Sequence, residues 1–261
     1  MVVFFDIDGT IVDEETQAIP QSTIRAVEAL KKNGHIAVVN TSRPFAHIDP
    51  RVRALDFSGW VCSCGMELWM NGECIKTNFP SLALCCHVRD SVRLCNMDVL
   101  YETVDGAILT DHPHSSHPVA VLEVQRMRQK GFTICQIDDR PAPSFVKGMA
   151  YGAPNCDREE FLRRMEPYFT CIDRGNTLIE FVLKGCSKAG GMKDLLQILG
   201  ENREITLAIG DSTNDLPMFA HAGHTVCLGG SMEELKAVAE YVTAPVMEDG
   251  IEKALRHFGL I

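Results

Sequence analysis

An uninterrupted apolar run, Val2-Val3-Phe4-Phe5, stops on Asp6, and this junction constrains the fold more than any other stretch of the 261-residue chain. A short run that is apolar at every position cannot alternate between core and water. It reads as a strand buried on both faces, as in a parallel sheet. The residues after it, Asp6-Ile7-Asp8-Gly9-Thr10, place two carboxylates and a turn-forming glycine at the carboxyl end of that strand. Open parallel sheets bind ligands at that end.

The next segments supply the rest of a βαβ unit. Ile24, Val27 and Leu30 recur at helical spacing across residues 22–32, and Asn33-Gly34 provides a stop. Residues 36–39 form a second apolar strand that ends at Asn40-Thr41-Ser42-Arg43. Strand, helix, strand predicts an α/β fold with a parallel, Rossmann-like core. Asn71-Gly72 predicts a hairpin between residues 67–70 and 73–76. The same grammar returns near the end of the chain. Helices are expected over 191–199, 216–222, 232–240 and 251–258, with strands over 205–209, 225–228 and 241–242.

The middle of the chain reads differently. A helix is expected over 82–94, and Asp105-Gly106 and Arg174-Gly175-Asn176 mark hairpins between short strands. Helices with antiparallel hairpins predict a separate α+β domain. A length of 261 residues corresponds to roughly 1.7 domains. The expected division is a discontinuous core of residues 1–79 and 186–261 with residues 80–185 inserted.

Composition excludes several classes. The chain is 46% hydrophobic and 23% charged, as a globular core requires. Its net charge of −10 opposes binding to nucleic acid or an anionic membrane. The N-terminus lacks a signal-peptide pattern and no apolar run approaches a membrane span, so a cytoplasmic location is expected. The 11 cysteines are scattered and odd in number, and read as free thiols.

The chemistry gathers at strand ends. Asp6 and Asp8 follow the first strand, and Thr41 follows the second. Asp211 follows residues 205–209 and is itself followed by Ser212, Asn214 and Asp215. Lys188 precedes the helix beginning near 191. Hard oxygen donors suit Mg²⁺, and a hydroxyl with an ammonium suits phosphoryl oxygens.

These residues, in this order, resemble the four motifs of the haloacid dehalogenase (HAD) superfamily. The insert, and the pattern from Thr225 to the chain end, resemble its Cof-type sugar-phosphatase branch. The resemblance implies a Mg²⁺-dependent phosphatase for a small phosphorylated metabolite, with sugar phosphates expected. It implies Asp6 as nucleophile, Asp8 as acid and base, and Thr41 and Lys188 on the phosphoryl oxygens. Gly9, Thr10, Ser42, Arg43 and Asn214 are the candidate phosphate-lining residues, Arg43 being read as pairing with a carboxylate or contacting substrate, and Asp6, Asp8 (through its carbonyl), Asp211 and Asp215 would surround the metal, with Asn214 and Asp215 completing that site or orienting Lys188. The insert would act as a cap that excludes water and selects the leaving group, and the protein is expected to be a monomer or weak homodimer. Ser42 stands where the family usually has Gly, and Cys64 where it often has Asn. Phosphotransfer between sugars uses the same chemistry and stays an alternative, as does a non-catalytic phosphometabolite sensor.

Other features have plainer readings. Cys62 and Cys64 would share one face of a strand, as buried packing residues or as a metal or redox pair. His112, His114 and His117 form a loop cluster, solvated unless zinc gathers it. Gly229-Gly230-Ser231 reads as a turn or helix start, with a phosphate cradle as the alternative, Asp13-Glu14-Glu15 as a solvated face or loop, and Trp60 and Trp69 as packing residues.

Overall fold

The computed structural model describes residues 1–111, 117–140, 144–152, 155–175 and 177–261. Among the described residues, fourteen strands run in chain order: β1 (Val2–Phe5), β2 (Ile36–Asn40), β3 (Gly59–Cys62), β4 (Glu67–Met70), β5 (Glu73–Thr77), β6 (Met97–Glu102), β7 (Ile108–Thr110), β8 (Ile134–Gln136), β9 (Lys147–Gly152), β10 (Phe169–Asp173), β11 (Leu178–Leu183), β12 (Thr206–Gly210), β13 (His224–Cys227) and β14 (Tyr241–Val242). The chain forms two compact units. One comprises Met1–Arg43, Ile48–Thr77 and Cys186–Ile261; the other comprises Pro44–His47 and Asn78–Gly185.

The first unit holds an eight-stranded sheet in the order β14-β13-β12-β1-β2-β3-β4-β5. Pairing is parallel from β14 through β3 and antiparallel at β3–β4 and β4–β5. The Asn71-Gly72 hairpin therefore forms the sheet edge, as its turn chemistry predicts. Every residue of β1 is buried, which is why its sequence shows no alternation. Val2 and Phe4 pack with Met192, Leu195, Met218 and Phe219. Val3 and Phe5 point to the opposite face by alternation and are equally buried. The helices Gln21–Lys32 and Gly250–His257 pack on one another and bury Val27, Leu30, Ile251 and Leu255.

The connection from β1 leads outward to β2 on one side, and β12 opens the run on the other. The order thus reverses beside β1, which creates a crevice at the carboxyl ends of β1 and β12.

The second unit is a six-stranded sheet, β10-β11-β9-β6-β7-β8, antiparallel except for the parallel β7–β8 pair. One face packs Val99, Tyr101, Ile179 and Phe181 against Cys85, Val88 and Val92 of the helix Leu82–Leu94, and against Phe161 and Met165. The other face buries Leu100, Ile108 and Tyr151 with Ala120 of the helix Pro118–Gln129.

Some local expectations are corrected. The helix expected over 232–240 covers only Glu233–Lys236. The chain leaves it to enter β14, and the Glu240 amide instead donates to Thr225 Oγ1 at 2.9 Å. The strand β3 stops at Cys62, and Ser63 and Cys64 follow with φ of +50° and +55°. Cys62 and Cys64 therefore do not share a strand face. All 11 cysteines are free. Of the histidine cluster, His112 and His114 lie outside the described residues. His117 caps the helix Pro118–Gln129 by accepting from the Val119 amide. Among the described residues no helix is long and apolar enough to cross a membrane.

Candidate active site

The site is built where β1, β2 and β12 end. Asp6 directly follows β1, and its amide donates to Ile209 O of β12 at 3.0 Å. Lys188 is the first residue of the helix Lys188–Leu199, whose N-terminus is capped by Ser187 Oγ accepting from the Gly190 amide at 2.9 Å. The Lys188 ammonium lies 2.7 Å from Asp6 Oδ1 and 2.6 Å from Asp215 Oδ1, and donates to Asn214 Oδ1 at 3.2 Å. All three charged groups are nearly inaccessible: Lys188 is 3% exposed, Asp6 4% and Asp215 0%.

Asp211 approaches from the end of β12 and accepts from Thr10 Oγ1 at 3.2 Å. Asp215 is held by the loop that carries it. Its Oδ2 accepts from the amides of Asp211 at 3.0 Å and Ser212 at 3.3 Å, which closes a capping box with Ser212. Two glycines permit this crowding. Gly9 has φ of +71°, and a Cβ there would fall 2.3 Å from Asp211 Oδ2. A Cβ on Gly210 would fall 2.4 Å from Asp215 Oδ2.

Asp8 stands apart from this cluster. Arg43 forks onto it, Nε to Oδ2 at 2.8 Å and Nη2 to Oδ1 at 2.7 Å. Both side chains are substantially solvent-exposed. Thr41 is buried at the end of β2, and its Oγ1 accepts from the Arg43 amide at 3.2 Å, leaving its own proton to donate elsewhere. Ser42 is half-buried between the two.

Charge balance decides what the cluster can hold. Asp6, Asp211 and Asp215 each offer an oxygen, all within 4.8 Å of one another, against the single ammonium of Lys188. Burial, followed by the charges of Asp6 and Asp215, pushes the Asp211 carboxyl up to about 8, with Thr10 and Lys188 opposing. Burial also pushes Asp6 up; Lys188 pulls it back, and Asp215 adds to the push. Burial works to lower the Lys188 pKa, but Asp6 and Asp215 outweigh it and hold the ammonium charged. A surplus of hard, negative oxygen donors fits a divalent cation.

Four structural supports of this site escape a reading of the sequence. Asn40, fully buried at the end of β2, donates through Nδ2 to Lys188 O at 3.0 Å. Gly65 and Gly191 touch so closely that a Cβ on Gly191 would lie 2.6 Å from Gly65 Cα. Glu67 is completely buried and accepts from Ser63 Oγ at 2.7 Å. A polar residue closing the apolar run of β2 was the available signal for Asn40; the others depend on long-range contacts.

The family model of the haloacid dehalogenase-like hydrolases matches residues 3–255. The chain belongs to the haloacid dehalogenase-like hydrolases. It is a phosphatase enzyme of the Cof-type branch. It is 36% identical over 253 residues to a phosphoglycolate phosphatase of Methanothermobacter thermautotrophicus, covering 97% of this chain and 96% of the relative. A Bacillus subtilis 5-amino-6-(5-phospho-D-ribitylamino)uracil phosphatase, YitU, is 23% identical over 276 residues, covering 98% of this chain and 97% of the relative. The solved structure of a HAD subclass IIB sugar phosphatase superposes with a TM-score of 0.79 at 26% identity, covering 100% of this chain and 99% of that one.

Proposed function

We propose that this phosphatase is Mg²⁺-dependent, acts on small phosphorylated metabolites, chiefly sugar phosphates, and works through a phosphorylated Asp6. The observation that carries this reading is the buried Lys188 ammonium bridging Asp6 and Asp215, with Asp211 completing the acidic cluster. Likeness to a subclass IIB sugar phosphatase supports the substrate class.

In this reading a carboxylate oxygen of Asp6 attacks phosphorus, and the bond from phosphorus to the leaving oxygen breaks. Asp8 gives that oxygen a proton. Water then attacks the phosphoaspartate, Asp8 takes the proton back, and the bond from phosphorus to Asp6 breaks. Lys188 and Thr41 hold phosphoryl oxygens, and their donors favour the more charged transition state. The Arg43 fork orients the Asp8 carboxyl, with Nε on Oδ2 and Nη2 on Oδ1. Gly9 and Thr10 bring backbone and hydroxyl close to Asp211, Ser42 flanks Thr41, and Asn214 orients Lys188. Mg²⁺ would be held by Asp6, Asp211 and the Asp8 carbonyl, with Asp215 behind them, and it would offset the charge of phosphate and carboxylates.

The test is Asp6→Asn. Turnover of p-nitrophenyl phosphate with Mg²⁺ should fall by about a thousandfold or more, with inorganic phosphate still bound. Undiminished turnover would remove Asp6 as nucleophile.

A further inference from the structure

We propose that Glu67 is a positioning residue for the phosphate-binding end of the site, acting through a strained turn; this rests on the reading of Thr41 and Lys188 as phosphoryl-oxygen ligands. Glu67 opens β4 on the antiparallel edge of the first sheet, yet it is completely buried. Burying a carboxylate is costly, and it persists where its partners fix something in return. Its Oε1 accepts from Ser63 Oγ at 2.7 Å, and its Oε2 accepts from the Trp69 indole at 3.3 Å.

Ser63 begins a turn in which three successive residues are left-handed: Ser63 at φ +50°, Cys64 at +55° and Gly65 at +86°. Only the glycine adopts that region without penalty. Two consecutive residues with side chains hold such a conformation only when their surroundings over-determine it. The hydrogen bond from Ser63 to Glu67 supplies part of that determination.

The turn reaches both sides of the proposed phosphate pocket. The Ser63 amide donates to Arg43 O at 2.9 Å, and the Cys64 amide donates to Thr41 O at 3.2 Å. Gly65 lies against the first turn of the helix that starts with Lys188. A Cβ on Gly65 would fall 2.7 Å from Gly191 N and 2.9 Å from Ser187 O. One small turn therefore sets the spacing between the loop of Thr41 and the helix of Lys188. Glu67 acts on both through its bond to Ser63.

The test measures binding of inorganic phosphate by calorimetry in Mg²⁺, beside turnover of p-nitrophenyl phosphate. Ser63→Ala and Glu67→Ala should each weaken phosphate binding by about tenfold, as should Thr41→Val. In the double variant Ser63→Ala/Thr41→Val the losses should not multiply, because a misplaced hydroxyl and a missing one are the same loss. Glu67→Gln keeps an oxygen that accepts from Ser63 and should recover most of the binding. If Glu67→Ala fails to fold, Ser63→Ala carries the test. A lowered melting temperature with unchanged phosphate affinity, or fully multiplicative losses, would overturn the positioning role alone. Unchanged binding in Thr41→Val would overturn the assignment of Thr41, and the positioning role with it.

Discussion

Replacing Asp211 by asparagine should stabilise the metal-free protein, and the gain should grow as the pH rises. In the folded protein this carboxyl sits at about 8, against an ordinary value of 3.8. Below the lower value both folded and unfolded chains hold the proton, and the folded state suffers no penalty. Between the two values the unfolded chain releases a proton that the folded chain keeps, so the parent loses stability as the pH climbs towards the folded value. The slope for one proton is about 1.4 kcal/mol per pH unit. Between about pH 5 and about pH 7 it amounts to about 2.7 kcal/mol as an upper bound. Asp211 is only partly buried, and screening by water reduces the expected change to about 1–2 kcal/mol. Asparagine has no such proton and removes one of the charges crowding Asp6. Urea unfolding of both proteins with EDTA, across this pH range, measures the difference. It should be near zero at about pH 4 and rise steadily above it. A difference that is flat or shrinks with pH would show that Asp211 is not held protonated by burial and the charges of Asp6 and Asp215, and the charge-balance argument for a cation would lose its basis. Added Mg²⁺ should raise the unfolding midpoint of the parent more than that of the variant.

Two further substitutions test how the site is supported. Cys64→Asn places a residue tolerant of the left-handed region at φ +55° and should raise stability by about 0.5–1 kcal/mol in urea unfolding. Gly191→Ala puts a methyl 2.3 Å from Val61 Cγ1 and 2.6 Å from Gly65 Cα. It should lower stability by about 1–3 kcal/mol, and p-nitrophenyl phosphate turnover should fall with it because the Lys188 helix must shift.

Legibility from the sequence follows the range of the interactions. The strands β1, β2 and β12 are apolar runs that end on polar residues, so each strand and the group at its end are visible in one short window. Asn71-Gly72 and Asp105-Gly106 encode their hairpins locally. The strand β9, Lys147–Gly152, carries two glycines and has no marked apolar run, so nothing local announces it. The helix Pro118–Gln129 follows a histidine-rich, proline-bounded stretch that reads as loop, and it buries only Ala120. At the site, Asp6, Lys188, Asp211 and Asp215 lie at element ends where topology gathers them. Glu67 reads as one more acid on a hairpin strand, since neither its burial nor its bond to Ser63 shows in its neighbours. The fork of Arg43 onto Asp8 joins residues 35 positions apart and likewise depends on two loops meeting.

The placement of β1 also has a consequence for the order in which this protein can assemble. Val2 to Phe5 pair on one side with Ile36 to Val39, and on the other with Thr206 to Ile209. During synthesis the first partner emerges early, but the second is separated by most of the chain. Until it arrives, the most apolar strand of the sheet has an unsatisfied edge, a template for pairing with other chains. Contacts of such long sequence separation also form slowly, because a large loop must close first. The second unit's strands all lie within Asn78–Gly185 and need no segment from beyond it for their pairing. The nascent protein can therefore complete its inserted sheet while its first strand still waits, and the crevice at the end of β1 exists only after Thr206–Gly210 has docked.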